Sequence, residues 1–338
     1  PLLALRWVGH DPDDTTLVAF LGINRARDWR EFRAAVARMV TPGQNFVYAD
    51  RAGRIGYVAG GRVPRRVPGH SGLYPVPGDG NWEWQGYVPP AEMPRQESAA
   101  EGYLVTANQR VTPDGYPYRL SLEWGAEPYR AARIAELLAA DTGHDLDDMA
   151  RIQADTRTLL YRDLRPVLAA MSVNSPAARR WRLRLLAWDG DTAADSVESA
   201  VFHAWYVALS TLPAGETGVR YWDRYPRFLI RAMREGDPAC PGPGGSCLGF
   251  AARALETAVR DLGPEPPPWG ELHEAHLSHA LLTHTPLAAL SDRRLPAGGG
   301  NHTVNVGWYR PADWVMHHGP SLSLIHISEP TRPRRQSR

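Results

Sequence analysis

The order of signals along the chain predicts an α+β protein. Strand-like and turn-rich segments fill the stretch up to Asn108, and helix-period segments follow from about Pro128. The two kinds never alternate as βαβ units would. No internal repeat appears, and no shift in composition forces a domain boundary.

Residues 1–25 alternate loosely and give a strand over 16–21, after the turn Asp11-Pro12-Asp13-Asp14. Asp28 and Glu31 stand at capping-box spacing. They open a helix whose apolar positions Trp29, Phe32, Val36, Met39 and Val40 keep a 3.6 period until Pro42-Gly43 ends it. A hairpin comes next: strand 45–50, a turn over Arg51-Ala52-Gly53, and strand 54–59. Within it Tyr48 and Tyr57 are expected on one sheet face. Residues 60–100 are punctuated by Pro64, Pro68, Pro75, Pro77, Pro89 and Pro90, with Trp82 and Trp84 in alternation, and read as short strands joined by ordered loops. A last strand, 102–107, runs into Asn108.

Beyond Pro128 the stripe Ile134, Leu137, Leu138 marks one helix, and Leu146, Met149, Ile152, Leu159 the next. Helices over 177–188 and 196–212 follow. Asp189, between Trp188 and Gly190, reads as a helix-stop turn. Residues 237–246 form a loop that carries Cys240 and leads to Cys247, two thiols able to close a small ring in an oxidising compartment.

Composition narrows the function. A chain of 338 residues, 43% hydrophobic, buries a large core and is not disordered. Two Cys exclude a disulfide scaffold and a Cys-rich zinc module. No apolar run has the length of a bilayer-spanning helix, so no membrane partner is expected. All 38 basic residues are Arg, which excludes Schiff-base chemistry and a P-loop lysine.

The ends also bear on charge. The chain starts at Pro1, with neither Met nor a signal-peptide pattern. Residues 322–332 read LSLIHISEPTR, which matches the translation of a common sequencing-library adapter, so 322–338 are expected to be adapter-derived and 1–321 to be native. Setting 322–338 aside removes four Arg and one Glu and turns the formal +1 into −2. The basic tail then carries no message, no basic patch replaces it, and no nucleic-acid partner is expected.

Motif tests remove several chemistries. His273, His276, His279 and His284 cluster, but a metalloprotease helix needs His-Glu-x-x-His, and Leu277 stands where the second ligand belongs. His276 and His279 share a helical face with no Cys or well-spaced carboxylate nearby, so no metal ligand is assigned. There is no Gly-x-Ser-x-Gly elbow. Gly298-Gly299-Gly300 does not sit in a βαβ unit, so no dinucleotide site is expected.

What remains is a series of blocks in order: Gly43 to Asp50, Gly53-Arg54-Ile55-Gly56-Tyr57, Gly60, Pro64-Arg65-Arg66, Pro75-Val76-Pro77-Gly78, and Trp82-Glu83-Trp84-Gln85-Gly86. Then follow Gly102-Tyr103-Leu104-Val105-Thr106-Ala107-Asn108, Tyr129 to Ile134, Ile152-Gln153-Ala154-Asp155, Trp188-Asp189-Gly190 and the segment 298–306. Together they resemble the penicillin acylase (penicillin amidase) family, over nearly all of 1–320, within its larger β chain and without that chain's beginning and end.

The resemblance implies an N-terminal-nucleophile hydrolase, a four-layer αββα sandwich present here in part. A precursor cuts itself and exposes a Ser, which attacks an amide carbonyl with its own α-amine as base. That Ser, absent from this chain, is expected upstream of Pro1. Asn108 matches the Asn whose side-chain amide donates to the oxyanion, and Arg130 the Arg that orients the site. Asp50 with Gly53, Tyr48, Tyr57, Trp82 and Trp84 are expected to be structural.

The implied partners are a small N-acyl substrate (a β-lactam, an acyl-homoserine lactone or a related amide) and an α chain cut from the same precursor. The implied compartment is the periplasm or the exterior, and catalysis takes no cofactor. A structural calcium belongs to the full-length family pattern, but where the family carries an Asp shortly after Tyr116-Pro117 this chain reads Tyr118-Arg119-Leu120-Ser121, which does not support it. The chain alone is expected to be inactive. The alternative is a member of the same fold that binds acylated ligands without cleaving them.

Overall fold

The structure is a computed structural model that describes residues 2–98, 101–121, 128–141, 143–211, 226–236, 240, 245–279 and 281–319. The tail 322–338, most of the loop 237–246 and Leu212 lie outside the described residues. The chain divides into two compact units, Pro1–Ala126 and Glu127–Arg338.

In the first unit, helices α1 (Thr16–Arg25) and α2 (Trp29–Val36) precede strands β1 (Gln44–Ala49) and β2 (Ile55–Gly60), with β3 (Arg95–Glu97) added later. The sheet is antiparallel in the order β1-β2-β3. Asp28 caps α2 by accepting from the Glu31 N–H at 2.7 Å, and Glu31 reaches back to the Arg27 N–H at 3.0 Å. Helix α2 stops at Val36, and Met39 and Val40 continue its buried face from the turn that follows. Trp29, Phe32 and Val36 pack on Val58, Phe46 and Tyr48. Asp50 closes the hairpin by accepting from the Ala52 and Arg54 N–H groups, at 2.9 and 3.1 Å.

Three expectations for this unit are corrected. Residues 16–21 belong to helix α1, not to a strand. Thr16, whose branched Cβ favours extended backbone in isolation, here accepts through its hydroxyl from the Val40 and Thr41 N–H groups at 3.1 and 3.2 Å, and Ala19 is fully buried. Long-range contacts thus override a short β-branched run. Tyr48 and Tyr57 lie on opposite faces, because the hairpin register sets Tyr48 against Gly56 and Tyr57 against Val47. Residues 102–107 form no ladder and are no strand. They are held by side chains instead, with Leu104, Val111, Tyr118 and Leu120 packed on Tyr57, Ala59, Val88 and Met93 beneath the sheet.

The second unit is mainly helical. It comprises α3 (Tyr129–Ala139), α4 (Leu146–Gln153), α5 (Leu159–Ala170), α6 (Pro176–Ala187), α7 (Val197–Leu209), α8 (Pro226–Glu235), α9 (Cys247–Leu262) and the single turn α10 (Trp269–Leu272). A mixed sheet follows, built from β4 (Glu274–Leu277), β5 (Arg293–Pro296), β6 (Trp308–Tyr309) and β7 (Met316–His318) in the order β5-β4-β7-β6, with the short helix α11 (Ala288–Ser291) before β5. Its core centres on α5, α7 and α9, where Leu164, Leu168, Phe202, Trp205 and Leu255 have no accessible surface. Among the described residues no helix is long and apolar enough to cross a membrane.

Two more expectations change here. The stripe from Leu146 to Leu159 belongs to two helices: Asp145 and Asp148 form a reciprocal capping box on α4, and the chain breaks before α5 to pair Arg157 with Asp191. His276 lies in strand β4 and His279 beyond it, so they share no helical face. Helical spacing in a short segment does not specify a helix when a strand partner is available, and β5 pairs with β4 from Glu274 to Leu277. Cys240 and Cys247 are joined as a disulfide with Cα atoms 5.0 Å apart. The bond closes a short loop onto the N-terminus of α9, and loop-closure entropy makes such a ring worth about 2.5 kcal/mol.

Candidate active-site residues

Asn108 stands at the tip of a turn that its neighbours clip shut. The Ala107 N–H donates to Gln109 Oε1 at 2.6 Å, and Gln109 Nε2 donates to the Val105 carbonyl at 2.9 Å. Ala107 is buried and Asn108 exposed. Asn108 has φ of 66°, the left-handed region that Asn enters more readily than other residues with a Cβ. The turn rests on the packed layer beneath the first unit's sheet.

Arg130 lies in the first turn of α3, in the second unit. It is half-buried, and burial alone pulls its guanidinium below the usual arginine value. Its helix is anchored on both sides. The Tyr129 hydroxyl donates to Asp163 at 3.0 Å, and Arg133 makes a two-pronged pair with Asp155 at 3.0 and 2.8 Å. The Asp155 carbonyl in turn accepts from the Asn305 N–H at 2.9 Å. The sequence blocks around residues 130, 155 and 300 are therefore neighbours in space. His302 closes the group, with its ring edge-on to Tyr129 and to Tyr206 at 5.7 and 5.8 Å. Burial, and next the charge of Arg130, hold the His302 imidazole down at about 3.

The sequence did not reveal a buried aromatic and polar cluster of this unit. Trp269 is sandwiched between two histidines, His203 at 4.3 Å and His273 at 4.8 Å between ring centres, with near-parallel planes. His203 Nδ1 meets the Tyr309 hydroxyl at 2.8 Å, and Trp269 Nε1 donates to the Gly299 carbonyl at 2.8 Å. His273 faces two carbonyls, Ala297 at 3.0 Å and Gly307 at 3.2 Å. Burial lowers both histidines below the usual imidazole value, well below for His203, which the charges of His273 and His302 lower further. The ring stack fixes the segment 297–307. Within it Gly299 has φ of 82°, and a Cβ there would collide with the Asn305 carbonyl. The one sequence signal for this cluster was the i, i+4 spacing of Trp269 and His273.

A groove of about 540 Å³ lies beside α2 and β2, with Val36, Met39, Val58 and Met93 in its wall. Neither Asn108 nor Arg130 lines it. Among the described residues no three His, Cys, Asp or Glu side chains come together to hold a metal ion.

A family model described as penicillin amidase matches residues 1–335. The penicillin acylase 2 proenzyme of a Pseudomonas species (strain SE83) is 31% identical over 82% of this chain and 41% of its own length. The acyl-homoserine lactone acylase QuiP of Pseudomonas aeruginosa is 35% identical over 92% of this chain and 43% of its own. This chain thus spans less than half the length of these relatives. The thermostable penicillin G acylase of Alcaligenes faecalis, a solved structure, superposes with a TM-score of 0.55 at 21% identity, over 74% of this chain and 52% of that one. The α+β fold expected for an N-terminal-nucleophile hydrolase is the fold of that structure. With the fold shared and the family pattern running through both units, the chain belongs to the penicillin amidase family.

Proposed function

We propose that this chain is part of the nucleophile-bearing subunit of a self-processing amide hydrolase. Its substrates are N-acylated amines of the β-lactam or acyl-homoserine lactone kind, the classes for which its relatives are named. A Ser exposed by precursor cleavage, outside this chain, adds its hydroxyl oxygen to the amide carbonyl while the α-amine takes the proton. The tetrahedral intermediate expels the amine with that proton and leaves an acyl ester, which water cleaves to the acid.

Asn108 is the residue that donates to the tetrahedral oxygen, and Arg130 orients the site. The partner is the second chain released from the same precursor. The Cys240–Cys247 disulfide favours an oxidising compartment, the periplasm or the exterior. The observation that carries this reading is the family match through residues 1–335.

The test is to express the gene together with its upstream coding sequence. Mass spectrometry of the purified product is expected to show two chains, the larger beginning with Ser. The same preparation is expected to turn over a chromogenic phenylacetyl amide or an acyl-homoserine lactone. A single uncut chain that binds acylated ligands without turnover would replace the enzyme by the non-catalytic alternative.

A further inference from the structure

The first unit holds a second cavity of about 540 Å³, walled by the loop from Pro64 to Ser71, by Gln85 and by Pro117–Arg119. Its lining includes Arg65, Arg66, Arg119 and His70 and contains no Asp or Glu. The loop is pinned at its base: the Arg65 N–H donates to the Gly86 carbonyl at 2.9 Å, and the Gln85 N–H to the Arg65 carbonyl at 2.8 Å. Gly72, at φ of 78°, lies against the Arg66 guanidinium. A Cβ on Gly72 would come within 2.8 Å of Arg66 Nε and 2.9 Å of its Cζ. The Arg66 head group is thus seated in a cradle that only glycine leaves open.

That seat leaves its donor unused. Among the described residues Arg66 Nε is fully buried and has no hydrogen-bond partner, and the same holds for His70 Nδ1, whose ring Trp82 holds edge-on at 5.9 Å. Among the described residues no carboxylate pairs with Arg65, Arg66 or Arg119. Nearby Arg62, by contrast, takes both Asp11 and Asp13 at 2.9 and 3.0 Å. Burial, and next the charge of Arg119, lower the Arg66 guanidinium below its usual value. A desolvated guanidinium N–H without an acceptor is costly, and its planar fork matches the oxygens of a carboxylate or phosphate.

We propose that this pocket binds an oxyanion, with Arg66, Arg119 and His70 as its donors. The arginines that line it repel a dication. The oxyanion is either a free ion or the carboxylate of an Asp or Glu from the part of the protein beyond this chain. Binding itself rests on geometry, and only the identification of its source rests on the proposed function.

The chain itself tests it. At constant ionic strength, titration with inorganic phosphate is followed on the ¹⁵N–¹H signals of the arginine Nε–H groups. The Arg66 and Arg119 signals are expected to move saturably, and Arg119→Gln (read on Arg66) and Arg66→Gln (read on Arg119) to weaken the response at least about tenfold, the loss of one charge-assisted bond. Arg30→Gln, outside the pocket, is expected to leave it unchanged.

Repeating the titration on the longer processed protein separates the two sources. Phosphate binding retained there identifies a free ion. An Arg66 signal already shifted and insensitive to phosphate identifies the protein's own carboxylate. No saturable shift in the chain, an unaltered shift in both pocket variants, or a saturable response to calcium would overturn the proposal.

Discussion

Asn108→Ala in the processed enzyme is expected to lower kcat by about 10² to 10³ and to leave KM nearly unchanged. Removal of one oxyanion donor costs roughly 2.7–4 kcal/mol in the transition state, and a donor used only as charge develops contributes little to ground-state binding. The backbone complicates this variant, because alanine at φ of 66° is strained whereas glycine is not. Asn108→Gly is therefore the cleaner comparison. It deletes the amide, relieves the strain, and is expected to show the same loss in kcat with unchanged thermal stability. Asn108→Asp keeps the shape but removes the donor and adds charge, so its loss is expected to be at least as large. Steady-state kinetics on a chromogenic phenylacetyl amide measures all three. Wild-type turnover in the glycine variant would place the oxyanion donor elsewhere.

The second large effect is acid sensitivity of the helical unit. His203, His273 and His302 are held neutral by burial in the folded state, His302 down to about 3. In the unfolded chain each takes up a proton near about 6.5. Below that pH the unfolded state binds more protons than the folded one, so stability falls as pH falls. Their contribution is complete above about 6.5 and is lost progressively on acidification, with the loss levelling off only as each folded-state value is reached. His302, held down to about 3, contributes a slope approaching about 1.4 kcal/mol per pH unit in this range, and His203 and His273 act in the same direction. Carboxylates whose values are lowered by hydrogen bonds, such as Asp145 and Asp292, act in the same direction but only nearer pH 4. The window from about 6.5 to 4.5 therefore isolates the histidines. Urea unfolding followed by circular dichroism at pH 7.5, 6 and 5 is expected to show a falling midpoint, and a flat profile would mean that these rings are not buried neutral.

Much of the fold was legible where the signal was local. The Asp28 cap, the Asp50 hairpin turn, and the helices around residues 134, 181 and 203 follow from short-range rules of capping, turn chemistry and period. The errors arose where distant residues decide. Thr16 is helical because its hydroxyl serves the backbone of Val40 and Thr41, about 24 residues away. The segment 102–107 carries strand-like residues but gains its order from side-chain packing and from the Gln109 clip. Tyr48 and Tyr57 depend on hairpin register, which a shift of one residue inverts.

The candidate site divides in the same way. Asn108 and Arg130 came from family resemblance and not from any local rule, since an Asn after an extended segment is ordinarily a turn residue. The stack of His203, Trp269, His273 and Tyr309 was invisible because its members come from α7, α10, the residue after it, and β6, separated by up to 106 positions. No periodicity within one segment reports such a cluster. Arg66 Nε and His70 Nδ1 likewise could not be read from the sequence, because what marks them is the lack of a partner among the described residues of the fold.

The measurement closest to the central claim is a crystal structure of the processed protein whose nucleophile carries a sulfonyl adduct, a tetrahedral mimic of the intermediate. Asn108 Nδ2 is expected within about 2.7–3.1 Å of one adduct oxygen. An adduct oxygen bound wholly by other donors, with the Asn108 amide turned toward solvent, would contradict it.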